Sequence, residues 1–283
     1  MTSSPLYEIV PNVSEGRDAT VIDACVAAIS TGSARVLHRT SDLAHHRSVI
    51  TAVGTHQSVL TSAINLAAVT TERIDLRKHR GEHPRIGALD VLPFVPLRHA
   101  RLSDAIALAR EAATAIWERH RVPSYLYGDA AMRPERKLLA EVRRGGFEGL
   151  PERARSPGGK PDVGDLPHAS AGAIAIGARP LLVAFNVDLA TGDVGLAREI
   201  AKTLRERNGG LRTLRAIGLG RAPGVAQVSF NITDYEAVPI YRVVELVRAL
   251  AAERGVDIAR CELIGLVPRR AIIDAAAYYA SLA

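Results

Sequence analysis

The two halves of this 283-residue chain repeat one order of segments, β-α-β-β-α-β-α. An α+β protein of two ferredoxin-like (βαββαβ) subdomains is therefore predicted. Three observations carry the prediction: apolar runs that switch between strand and helix periods, glycines that stop helices in the second half, and a Gly- and Pro-rich stretch dividing the halves. The boundary is placed so that residues 1–178 form the N-terminal subdomain and 179–283 the C-terminal one. Two such units can stack and leave a ligand cleft or tunnel between them.

In the first half, Leu6–Val10 reads as a strand and Ala19–Ser30 as a helix, with Ser14 available to cap it. Arg35–Arg39 and Ser48–Gly54 follow as strands, Gln57–Thr71 as a helix, Ala88–Leu97 as a strand and Ser103–Arg121 as a helix. In the second half, Leu181–Val187 is a strand, Val194–Arg207 a helix stopped by Gly209-Gly210, and Leu211–Ile217 and Ala226–Ile232 are strands. Pro239–Arg254 is then a helix ended by Gly255, Arg260–Val267 a strand and Arg269–Ala280 a helix. Gly145 to Gly172 lacks an apolar period and reads as a connector, functional or disordered.

Composition excludes several classes. With 47% hydrophobic residues the chain can bury a sizeable core, and no apolar run approaches the roughly 18 residues of a membrane span. The start, Met-Thr-Ser-Ser-Pro-Leu-Tyr, is neither basic nor followed by a cleavable apolar stretch, so the expectation is cytoplasmic with no membrane partner. Cys25 and Cys261 cannot build a disulfide framework or a metal-ligand spacing, and both read as small core residues; no metal is expected. The net charge of +6 could suggest nucleic acid, but aromatics are only 4% and the arginines are mixed with acids, so no nucleic-acid partner is expected. An anionic small molecule fits the local excess better, with Arg73, Arg77, Lys78, His79, Arg80 and Arg85 as either its binding cluster or a solvated basic rim.

The segment Arg80-Gly81-Glu82-His83-Pro84-Arg85-Ile86-Gly87-Ala88-Leu89-Asp90-Val91 carries the chemistry. Pro84 pushes His83 toward an extended backbone, and the flanking Gly81 and Gly87 allow sharp turns. An imidazole held on a stiffened loop suits general acid–base work near neutral pH.

Extended from Ile74 to Phe94, this segment resembles the signature of the formiminotransferase family. Further likenesses lie at Val10-Pro11-Asn12-Val13-Ser14-Glu15-Gly16, Val122–Gly128, Gly177–Asn186, Ala226–Ser229 and Leu263–Pro268, in unbroken order from about residue 7 to the C-terminus. The resemblance implies two α/β subdomains with folate in a tunnel between them, and transfer of a formimino group between tetrahydrofolate, as co-substrate, and the amino group of glutamate. It makes His83 the catalytic residue, passing a proton to the departing nitrogen of a tetrahedral intermediate. It also implies a homodimer. No cyclodeaminase-like segment follows residue 283, so the second reaction fused to this one in some relatives is expected from another protein.

Other site residues follow from the same match. Asn12, with Ser14 and Glu15, borders the site. Arg47 either clamps a carboxylate of glutamate or folate through two hydrogen bonds or forms a structural ion pair with an acid such as Asp42. The Pro161–Gly172 stretch aligns with a folate-contacting loop, in which Gly164 and Gly172 permit close backbone approach to a flat ring or serve as plain linker. One departure concerns the substrate: an ungapped match places Thr40 where the family carries an acid and His46 where it carries asparagine. Asp42 could replace the acid by a small register change, and His45 and His46 are either extra proton carriers or surface residues. The shifted residues leave two alternatives, an amine acceptor such as glycine in secondary metabolism and a folate-binding relative without catalysis.

Overall fold

The computed structural model describes residues 4–43, 45–81 and 84–282. The chain divides into two compact α+β units, the first up to Pro180 and the second from Leu181.

The first unit opens with one strand broken in two, β1 (Tyr7–Ile9) and β2 (Asn12–Val13), because Pro11 lacks the N–H that would continue the ladder. Helix α1 (Ala19–Thr31) follows, and its cap is Asp18, whose Oδ1 accepts from the Thr20 and Val21 amides at 2.8 and 3.3 Å. Ser14, expected as that cap, instead donates to the Gly87 carbonyl at 2.7 Å and ties the turn to the segment before β5. The hairpin β3 (Arg35–Asp42) and β4 (Arg47–Gly54), helix α2 (His56–Arg73), strand β5 (Leu89–Pro96) and helix α3 (Leu102–His120) then follow the expected order.

Beyond α3 the sequence reading and the structure part. Strand β6 (Ser124–Gly128), helices α4 (Leu139–Val142) and α5 (Gly146–Arg155), and strand β7 (Ile174–Ala178) all belong to the first unit. The supposed connector is thus ordered, and polar contacts order it. Tyr125 donates to the Gly159 carbonyl at 3.0 Å, Arg136 to the Gly158 carbonyl at 2.9 Å, and the Leu126 amide to Asp162 at 2.8 Å. The guanidinium groups of Arg136 and Arg153 lie 4.9 and 4.4 Å from the Tyr125 ring centre. Such contacts leave no hydrophobic period in the sequence.

Among the described residues the sheet of this unit runs β3-β4-(β1, β2)-β5-β7-β6, with β7 parallel to both neighbours and every other pairing antiparallel. One face is covered by α1, α2 and α3 around Ile9, Ile29, Ile50, Leu66, Phe94 and Ile116. On the other, Val142 of α4 and Leu150 of α5 close over Val91, Tyr125, Tyr127 and Ala175. Truncating a fully buried member such as Phe94 to alanine costs about 3–5 kcal/mol.

The second unit is a shorter version of the same order: β8 (Val183–Leu189), α6 (Val194–Leu204), β9 (Leu214–Ala222), β10 (Val225–Ile232), α7 (Ile240–Ala252), β11 (Ile258–Ile264) and α8 (Arg269–Ala280). Its antiparallel sheet runs β11-β8-β10-β9. Phe185 and Phe230 stack at 5.1 Å in a core completed by Leu196, Ile200, Val243 and Val247. Cys25 is buried as expected, whereas Cys261 on the edge strand β11 is exposed. Among the described residues, no helix is long and apolar enough to cross a membrane.

Candidate functional site

Most of the predicted residues fall on three stretches of the first unit: β2 with its following turn, the β3–β4 hairpin, and the segment between α2 and β5. His83, the residue on which the sequence reading turns, lies outside the described residues, as does Glu82.

Asn12 and Arg47 come together because β2 pairs with β4. The Asn12 side-chain oxygen accepts from Arg47 Nη2 at 2.7 Å and from Nε at 3.2 Å, while its amide donates to the Val10 carbonyl at 2.7 Å. Arg47 Nη1 donates to Asp90 at 2.7 Å, and the same carboxylate oxygen accepts from Arg143 at 2.7 Å. The other Asp90 oxygen accepts the Ile86 amide at 2.8 Å. Burial alone would raise the Asp90 pKa, but Arg143, Arg47 and that amide outweigh it and hold the carboxyl below its usual range. Burial likewise lowers Arg47, to about 10, against the pull of Asp90. Arg47 therefore makes the structural pair rather than an open clamp, and its acid is Asp90 instead of Asp42.

The hairpin turn holds the second group. His46 takes a left-handed backbone, φ 51°, uncommon for a residue with a side chain. Its Nε2 lies 2.9 Å from Glu15 and its Nδ1 3.2 Å from the Arg80 carbonyl, and its ring stacks on His79 at 4.2 Å. The ring is neither free nor at the surface. Asp42 accepts the His45 amide at 2.7 Å and lies 3.1 Å from the His45 ring, so it is engaged within its own turn. Thr40 is exposed on β3, opposite Val49.

Arg85 donates to Glu148 of α5 at 2.7 and 3.1 Å and to His79 Nδ1 at 3.1 Å. That contact with Arg85 is the main reason the Glu148 carboxyl is held low. The basic cluster expected here is thus only partly open. His79 is buried, which lowers its pKa, and Arg77 is paired with its neighbour Asp75 at 2.8 Å. Gly164 and Gly172 are ruled by the protein itself: at φ 93° and 72°, an added Cβ would meet Trp117 and Pro123 in the first case and the Ile86 carbonyl in the second.

Sequence reasoning missed Glu8, Asp90 and Arg143. Burial raises the Glu8 pKa, with Arg179 opposing. Both acids sit within apolar strand runs, Leu-Tyr-Glu-Ile-Val and Ala-Leu-Asp-Val-Leu, and an acid on an otherwise apolar strand is the signal that could have found them. Arg143, 53 residues from Asp90 and just ahead of the stretch read as connector, gives no such signal.

Comparisons place this arrangement among known proteins. The model described as the formiminotransferase domain, N-terminal subdomain, matches residues 6–179, and that of the formiminotransferase domain matches residues 184–282. The chain is 43% identical over 277 residues to a glutamate formimidoyltransferase of Streptococcus pyogenes serotype M1, covering 97% of this chain and 93% of that one. To a glutamate formimidoyltransferase of Thermoplasma acidophilum it is 41% identical over 281 residues, covering 98% and 93%. A formimidoyltransferase-cyclodeaminase of Rattus norvegicus is 39% identical over 285 residues, and the match spans 98% of this chain and 52% of that protein.

Proposed function

The chain belongs to the formiminotransferase family, and we propose that it moves a formimino group between tetrahydrofolate and the amino group of glutamate, with His83 carrying the proton. The observation that carries this reading is the near full-length likeness to two proteins named glutamate formimidoyltransferase.

Tetrahydrofolate supplies the ring nitrogen that exchanges the formimino carbon with glutamate. Arg143 fits a hydrogen-bonding co-substrate of this kind, because its buried Nε–H has no hydrogen-bond partner among the described residues. The chain's own part is proton handling and positioning. When formiminoglutamate is the donor, the imidazole of His83 takes the proton released from the attacking nitrogen and returns it to the glutamate nitrogen as the carbon–nitrogen bond breaks. The Asp90, Arg47 and Arg143 group leads through the Ile86 amide into the segment after Arg85 and fixes where that segment starts. The βαββαβ order of the second unit, with strands in the order fourth-first-third-second, supports the ferredoxin-like reading. Homodimer formation, a cytoplasmic place and a role in histidine breakdown belong to the same proposal.

Incubation with formiminoglutamate and tetrahydrofolate should yield formimino- or methenyl-tetrahydrofolate, followed by absorbance. Replacing His83 with Asn should abolish turnover and leave folate binding largely intact; retained turnover refutes the assigned role. Glycine as acceptor is favoured only by the neutral, exposed Thr40. Faster transfer to glycine than to glutamate in an amine panel would establish it.

A further inference from the structure

We propose that His46 and His79 form a stacked pair that holds both Arg80 and Arg85, with His46 as the charged member, and that this hold is needed for formimino transfer. The inference rests on the role proposed for His83, which lies between those two arginines in the chain.

The protonation states follow from what each ring nitrogen faces. His79 Nδ1 lies 3.1 Å from Arg85 Nε, which can only donate, so Nδ1 accepts and carries no hydrogen. Its Nε2, 3.0 Å from the His46 carbonyl, must then donate. That is a neutral imidazole of fixed tautomer. His46 faces an acceptor on each side: Nδ1 faces the Arg80 carbonyl and Nε2 faces Glu15 Oε1. The same Glu15 oxygen accepts the Arg17 and Asp18 amides at 2.7 and 3.0 Å, which keeps it an ionised acceptor. Both nitrogens of His46 therefore donate, and the ring is an imidazolium.

One member of the stack holds Arg80, and the other holds Arg85. The rings lie 4.2 Å apart and 5° from parallel, so displacing either disturbs both. Gly81 reinforces the arrangement: a Cβ there would come within 2.5 Å of the His45 carbonyl and 2.9 Å of His46 Cβ. Among the described residues, the titratable and charged groups around the His46 ring are Glu15 from the turn after β2, His79, Arg80 and Arg85 from beyond α2, and Asp42 and His45 of its own hairpin. Glu15 bonds the His46 ring as an acid.

The test uses the intact protein. In 15N NMR of the unsubstituted chain near neutral pH, His46 should show two protonated ring nitrogens and His79 a single hydrogen, on Nε2. His46→Asn and Glu15→Gln, which keep hydrogen-bonding groups but remove the charge, should lower kcat about 10- to 100-fold, the size of effect that misplacing reacting groups produces. The KM for tetrahydrofolate should hold within about twofold. A singly protonated His46, or a kcat unchanged in both variants while His83→Asn is inactive, overturns the grip. Turnover retained in His83→Asn overturns the parent reading instead. Should a variant fold poorly, the 15N measurement on the unsubstituted chain decides alone.

Discussion

Each sheet of this molecule places one aspartate between two arginines, and the two groups differ in how far water reaches them. In the first unit Asp90 meets Arg47 and Arg143, with side-chain exposures of 0%, 9% and 14%. In the second, Asp188 meets Arg221 and Arg260, at 7%, 35% and 51%. The chemistry is the same and the solvation is not. Buried charges depend on one another, because losing one leaves the others without compensation, whereas half-exposed arginines fall back on water. The first group is therefore a buried part of the scaffold, bonded to the Ile86 amide. The second is half open: its arginines reach solvent, while Asp188 and Gln227, whose amide donates to Asp188 at 2.6 Å, are buried.

Matched substitutions break this comparison most sharply. Asp90→Asn, which strands two buried guanidinium groups, should cost about 3–5 kcal/mol of stability in urea unfolding. The pH dependence should follow. Because the folded carboxyl of Asp90 is held low, its contribution is present above the unfolded value near 4 and lost as pH falls through the lower folded value, so the steep loss of stability below about pH 4 should flatten in Asp90→Asn. Asp188→Asn should cost no more than about 1 kcal/mol, and less in high salt. A loss equal to that of Asp90→Asn would mean that exposure does not set the difference.

The smallest effect is expected at Glu8, a buried acid of the first sheet with only Arg179 to oppose its desolvation. Its raised folded pKa works against the folded state once pH rises above the unfolded value. Glu8→Gln should accordingly raise the melting temperature slightly at pH 7 and leave it unchanged at pH 3. A lower melting temperature at pH 7 would show that Arg179 is the stronger influence.

Much of this fold is legible from local pattern. The strands from β1 to β5 and their helices fall within a few residues of where apolar period and caps place them, since each is one buried face repeated along the chain. Segments ordered by polar contact are not legible: β6 and the stretch around α5 are tied together by arginines stacked over Tyr125 and by Asp162 reaching the Leu126 amide. At the candidate site, Asn12 and Arg47 could be named from motif, but the pairing of Arg47 with Asp90 could not, because it crosses 43 residues of chain and appears only when β2, β4 and β5 lie side by side. The sequence left His46 open as a proton carrier or a surface residue for the same reason. The ring that stacks on it comes from a segment 33 residues away.

Strand β7 lies between β5 and β6 although it comes last of the three in the chain. During synthesis, β5 and β6 must therefore wait with open edges until residues 174–178 leave the ribosome. The nascent first unit is exposed to aggregation over that interval. A chain cut before Ile174 would lack the strand that joins those edges, and chaperone dependence should be greatest for that intermediate.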